Sequence, residues 1–274
     1  MNLLTWDDIL TLEADRPAAE PFVPLVDLPL VVLVGLTGVG KSTTLEHLAE
    51  LVAFSLLPNR RALTDHIIIA GLQKADGHTP FPVKDRLERF SYTARYRARH
   101  PGGMAHALSR IAVHRHRLTG PLVFDGLRGL DEVQAAARLF RQARFVVLDA
   151  PDIVRLTRLL HRGDSFDQAQ TRTASPDGSL TAALLNIPHV TEVFSPAQVE
   201  QVARLVQTGA VDLQTAASRL AIIIEERKNY DSTAARGFLT DALPPHRVLV
   251  IDTAGHPASA VARQIADWLY NSEF

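Results

Sequence analysis

Short apolar runs that alternate with helix-length amphipathic patterns read as an α/β protein with a doubly wound parallel sheet. Composition agrees: 274 residues, 46% apolar and 22% charged, suit one large globular core rather than a disordered chain or a coiled-coil rod. The absence of cysteine excludes disulfides, cysteine-ligated zinc and thiol catalysis. No apolar run approaches the ~20 residues of a membrane helix. Acidic Asp7 and Asp8 stand where a secretory signal would carry positive charge, so a cytoplasmic protein without membrane contact is expected.

Residues 1–29 read as an N-terminal extension, with a short helix over 6–15 and prolines at 17, 21, 24 and 29 that exclude core strand or helix interior. Leu30–Val34 is a continuous apolar run, as a buried parallel strand requires. Apolar Leu45, Leu48, Leu51, Val52 and Leu56 then predict a helix over 41–54. The β-branched run 66–72 (HIIIAGL) predicts a second strand. Residues 84–118 predict two helices broken at Pro101-Gly102-Gly103. Strands three, four and five fall at 122–125, 145–149 and 247–252, and helices at 131–141, 152–162 and 258–270. The core is thus 30–162 plus 244–274. Between them, 163–243 reads as a helical insertion, with a polar stretch at 165–179 and helical patterns at 196–207 and 212–227.

The formal charge of −1 hides an asymmetry: residues 84–117 hold nine Lys/Arg against Asp85 and Glu88, a local +7. Such a run is either a solvated helix face or a seat for something polyanionic.

Gly35-Leu36-Thr37-Gly38-Val39-Gly40-Lys41-Ser42, followed by Thr43, matches the phosphate-binding loop G-x-x-x-x-G-K-[ST]. Glycines let the backbone curl so that successive N–H groups face one concavity. The helix starting at Lys41 adds unpaired N–H groups and the positive end of its dipole. Lys41 is placed to bridge β- and γ-phosphates, and Ser42 to offer Mg²⁺ an oxygen. Asp125, ending an apolar strand, is the second candidate magnesium ligand; its alternative is a turn residue before Gly126.

Here the residues resemble a family. Asp125-Gly126-Leu127-Arg128 is similar to the Asp-Gly signature, with its following arginine, of adenylate-kinase-like nucleotide kinases, which are P-loop NTPases. The run 145–149, then Asp152 and Arg158-Leu159-Leu160-His161-Arg162, is similar to their fourth strand and the helix entering the lid. The resemblance implies a five-stranded sheet of order 2-3-1-4-5, with Arg158 against the nucleotide base and Arg162 on the phosphates. It puts the acceptor at the basic segment, where Arg89, Arg95, Arg99 and Arg128 are the candidates to grip it. Arg227 and Arg236 stand where the family has further phosphate-binding arginines, with helix-surface salt bridges as the alternative. The chain departs from the pattern in its loop (Thr37 where the family has proline), in the longer insertion and in lacking a recognisable nucleoside-monophosphate motif.

The expected activity is ATP- and Mg²⁺-dependent phosphoryl transfer to a small anionic or nucleotide-like acceptor, through Lys41, Asp125, Arg158 and Arg162. Two alternatives remain open. One is a polynucleotide 5′-kinase whose basic segment tracks a nucleic-acid backbone. The other is a regulatory ATPase or switch that docks a protein partner through 163–243.

Overall fold

The computed structural model describes residues 1–12, 20–161 and 180–271. In chain order the N-terminal region supplies β1 (Asn2–Leu3), β2 (Ile9–Thr11) and β3 (Phe22–Pro24). The core follows with β4 (Leu30–Val34), α1 (Lys41–Leu51), β5 (Ser55–Leu56), α2 (Arg60–Leu63), a π turn over Thr64–Ile69, and α3 (Ala70–Ala75). Next come α4 (Arg86–Arg99), α5 (Met104–Ser109), β6 (Ile111–His114), β7 (Leu122–Leu127), α6 (Leu130–Leu139), β8 (Arg144–Asp149) and α7 (Asp152–Leu160). The chain then forms α8 (Leu180–Leu185), α9 (Val190–Val193), α10 (Pro196–Gln207), α11 (Leu213–Asn229) and α12 (Ser232–Ala242), and closes with β9 (Val248–Asp252) and α13 (Ala258–Asn271).

The main sheet has six strands in the order β1-β5-β7-β4-β8-β9, and its neighbours all pair in parallel. Its centre shows why the apolar runs are unbroken. Leu30, Val32 and Val34 of β4, with Phe145 and Val147 of β8, enter one core layer beside α5, α6 and α12. Val31 and Leu33, with Val146 and Leu148, enter the opposite layer beside α1 and α13. Both faces are covered, so alternate residues are all apolar. A third cluster lies under the insertion, where Leu156, Leu159 and Leu160 of α7 pack with Leu184, Phe194, Val199, Leu220 and Ile223. Ala235 and Leu239 of α12 belong instead to the main core.

Four expectations need correction. The run 66–72 is helical, and the strand in that place of the sheet is β5. Leu63, Ile67, Ile68 and Leu72 are buried together at helical spacing. The Asn59 side chain caps the helix by accepting from Ala62 N at 3.0 Å. Isoleucine's β-branching gave way to that packing. The N-terminal helix is a single 3₁₀ turn, Trp6–Asp8, followed by β2, while residues 13–15 of that prediction lie outside the described residues. The first strand, β1, adds a sixth member to the sheet at its edge. Finally, the second basic helix ends at Ser109, and β6 forms a three-stranded antiparallel sheet with β2 and β3. Stretch 165–179 lies outside the described residues.

Candidate active site

The phosphate-loop sequence spans the turn from β4 to α1, at the carboxyl end of the central strand. Gly40 caps α1 in the left-handed conformation (φ 99°), with no side chain covering the first-turn N–H groups. Gly38 is equally constrained: its φ is +88°, and a Cβ there would sit 2.8 Å from the Arg155 carbonyl oxygen. The motif leaves that position free; the fold does not. Gly38→Ala is therefore expected to shift the loop off α7 and to lower stability by about 1–3 kcal/mol, read from thermal unfolding. An unchanged melting curve would mean that the loop is not held this way.

Lys41 folds back over the loop, and its Nζ donates to the carbonyls of Gly35 (2.6 Å) and Leu36 (3.2 Å). Desolvation, with repulsion from Arg128 and Arg155, lowers its pKa to about 8 against the pull of Asp125 and Glu226. Ser42 and Thr43 are exposed on the first turn of α1.

Asp125 is not the last residue of its strand; β7 runs on to Leu127. The β4–β7 register slips between Val32 and Val34, which leaves Asp125 in a β-bulge. Bulges re-aim side chains, and Asp125 is close enough to Lys41 to act on its charge. Among the described residues the Asp125 carboxylate has no hydrogen-bond partner, and Ser42 presents a hydroxyl on the exposed first turn of α1. That donor set fits a hard cation taking oxygen ligands. No three His, Asp or Glu side chains converge on a metal site among the described residues, so such an ion would draw its remaining ligands from phosphate and water.

Two cavities flank the loop. One, of about 420 Å³, is lined by Thr37 of the loop, by Arg128 just after β7, and by Arg60, Lys84, Arg89 and Arg97 from the stretch after β5. The other, of about 480 Å³, lies between α1, α7 and the turn after β9, with Arg158, His161, Thr253 and His256 in its wall. Arg158 donates to Val39 O (3.1 Å), Thr253 Oγ1 (2.9 Å) and Thr253 O (2.5 Å), so it ties the loop to the last strand. Arg162 lies outside the described residues.

Of the four proposed acceptor arginines, Arg89 and Arg128 line the first cavity; Arg95 and Arg99 do not. Arg89 is paired with Asp65, and Arg95 with Asp76 at 2.8 Å on the exposed side of α4. The basic segment as a whole does not form one stripe. Arg117 bridges Asp8 at 2.8 Å beside the small antiparallel sheet, and Arg110 donates to Leu12 O at 3.1 Å. The folded chain thus breaks up a local +7 that looked continuous in sequence.

Arg155, Glu226, Glu132 and Tyr230 escaped the sequence reading. Arg155, fully buried in α7, donates to Thr37 O (2.8 Å), Asp152 (2.5 Å) and Glu226 (2.5 Å). Glu226, from α11, also accepts from Arg128 at 2.5 Å and from the Thr37 hydroxyl at 2.6 Å. Burial raises its pKa, but the nearby Arg128 and Arg155 outweigh this and leave it lowered. Arg60 forms a forked pair with Glu132 (2.6 and 2.8 Å), and Tyr230 lies against both Arg60 and Arg128. No motif marks these positions. The one available signal was Arg155, three residues before Arg158 on a strongly amphipathic helix. Arg227 bridges Asp152 at 2.8 Å, and Arg236 contacts Asp149 at 3.4 Å, as the salt-bridge alternative requires.

No family model matches the chain, and no curated protein matches it. Solved structures that match include an unliganded sugar kinase from Janibacter sp. HTCC2649, 17% identical over 89% of this chain and 95% of that one, with a TM-score of 0.37. A shikimate kinase from Acinetobacter baumannii in complex with shikimate is 17% identical over 90% and 96%, with a TM-score of 0.38. TT1252 from Thermus thermophilus is 20% identical over 66% and 96%, at 0.30. Likenesses this loose fix neither reaction nor substrate. Among the described residues no helix is long and apolar enough to cross a membrane.

Proposed function

We propose that the protein is a P-loop kinase of nucleotide-kinase-like type, which transfers the γ-phosphoryl group of ATP to a small anionic or nucleotide-like acceptor. The observation that carries this reading is the pair of cavities meeting at one glycine-rich loop, with a lysine and two arginines at the junction. The cavity beside Arg158 would take the nucleoside, with the triphosphate running along residues Gly35 to Thr43. The cavity beside Arg89 and Arg128 would take the acceptor.

In that reading the loop N–H groups hold the phosphates in register. Lys41 swings from the loop carbonyls to the β- and γ-oxygens, and Arg128 steadies the acceptor end. Ser42 and Asp125 would hold Mg²⁺, which supplies charge neutralisation to the phosphates when bound. The remaining role of the chain is positioning and charge stabilisation. The division of the basic segment among partners supports a small acceptor over a nucleic-acid backbone. Incubation with γ-labelled ATP and a panel of nucleotides, sugars, small acids and 5′-hydroxyl oligonucleotides tests this directly. Label on one small compound is expected; label on oligonucleotides, or only as free phosphate, would replace the reading with one of the two alternatives.

The lowered pKa of Lys41 gives the reading a pH signature. Below about 8 the ammonium is charged in the free protein, and ATP affinity should be flat. Above it, each ATP bound must first recover a proton, so affinity should fall roughly tenfold per pH unit up to the ordinary lysine range. Calorimetric affinities that stay constant from pH about 7 to about 9 would remove Lys41 from the phosphate site.

A further inference from the structure

Glu226 occupies a place that its surroundings have built for an anion. Thr37 offers it the backbone N–H at 3.0 Å to one oxygen and 3.3 Å to the other, and its hydroxyl at 2.6 Å. Arg128 and Arg155 close on it at 2.5 Å each. These donors come from three separate parts of the chain: the loop after β4, the turn after β7, and α7. A backbone amide of a glycine-rich loop together with two guanidinium groups is also what a phosphoryl group would be offered. Lys41 meanwhile points at loop carbonyls rather than into the concavity.

We propose that Glu226 is a built-in stand-in for the terminal phosphoryl group of the nucleotide, an autoinhibitory contact that ATP displaces, moving α11 and reshaping the acceptor cavity. The inference rests on the kinase reading above. Two anions cannot share one set of donors at contact distance, so a bound triphosphate expels the carboxylate. Arg155 is not stranded when this happens, because it keeps Asp152 and the Thr37 carbonyl. Arg128 loses its carboxylate and becomes free to meet the phosphoryl group. The motion cannot stay local. Glu226 sits on the same helix as Ile222, Glu225 and Asn229, which form one wall of the acceptor cavity. Nucleotide binding thereby opens or re-forms the acceptor's seat. The expected order of addition is ATP first.

The test compares wild type with Glu226→Gln, which keeps the size and an accepting oxygen but removes the charge. Folding is checked by melting curves. If the closed contact dominates in the free protein, the variant should bind magnesium–AMPPNP about tenfold more tightly, because the competent fraction rises. Equal or weaker affinity in a folded variant would make Glu226 a structural tie and overturn the proposal. A second measurement leaves Glu226 intact. The chain has no cysteine, so spin labels at Glu50→Cys and Lys228→Cys, both exposed positions on α1 and α11, are unique. Their separation should shift by several ångströms on adding magnesium–AMPPNP; an unchanged separation with nucleotide bound would refute displacement. Binding by neither protein would instead refute the kinase reading, and the stand-in with it.

Discussion

Replacing Lys41 by alanine is expected to abolish phosphoryl transfer by two to four orders of magnitude, an estimate of about 1.5–3 kcal/mol for each of two charge-assisted hydrogen bonds lost to phosphate. The fold should survive. In the free protein the ammonium donates to the carbonyls of Gly35 and Leu36, and it sits there against a desolvation cost that drags its pKa to about 8. Removing it relieves that cost along with the repulsion from Arg128 and Arg155. Turnover is measured with saturating acceptor and stability by thermal unfolding. A variant with near wild-type turnover would show that the loop does not handle the transferred group.

The second large effect is on stability. Arg155→Met should destabilise the protein by about 3–5 kcal/mol, because the buried guanidinium pairs with Asp152, which it shares with Arg227, and with Glu226, which it shares with Arg128. It also fastens α7 to the Thr37 carbonyl, so the loop loses its support at the same point. For a chain of this size the melting temperature should drop by about 10 °C. A shift of less than a degree or two would mean that water or neighbouring cations already satisfy those carboxylates. Arg128 remains on Glu226 in this variant, so α11 stays docked and the loss is expected to be partial.

Much of this was legible in the residues. The central strand, the loop and α1 were readable because an uninterrupted apolar run, positive-φ glycines and a helical pattern each force one local answer. β7, β8 and β9 followed from the same logic of strands buried on both faces. What failed was ambiguous by nature. A run of three isoleucines carries no period of its own, and Leu63 and Leu72 on either side decide that it packs as helix. β5, only two residues long, is too short to leave a pattern, and β1 owes its existence to pairing with β5. The basic segment misled for a different reason: charge in sequence is additive, whereas the fold sends Arg89, Arg95 and Arg117 to three separate carboxylates.

The candidate site was half visible. Local motifs name Lys41, Ser42 and Asp125 because their chemistry depends on near neighbours in the chain. Glu226 lies 189 residues from Thr37, and nothing along the sequence announces that contact. Long-range ion clusters of this kind arise from the packing of α7 against α11, which a linear pattern does not encode.

The central claim is that the turn between β4 and α1 grips a triphosphate. Titrating the protein with magnesium–AMPPNP in a calorimeter tests it most directly. One site per chain, bound in wild type and lost in Lys41→Ala, is the predicted result. The absence of any heat in the wild-type protein and in Glu226→Gln alike would contradict it.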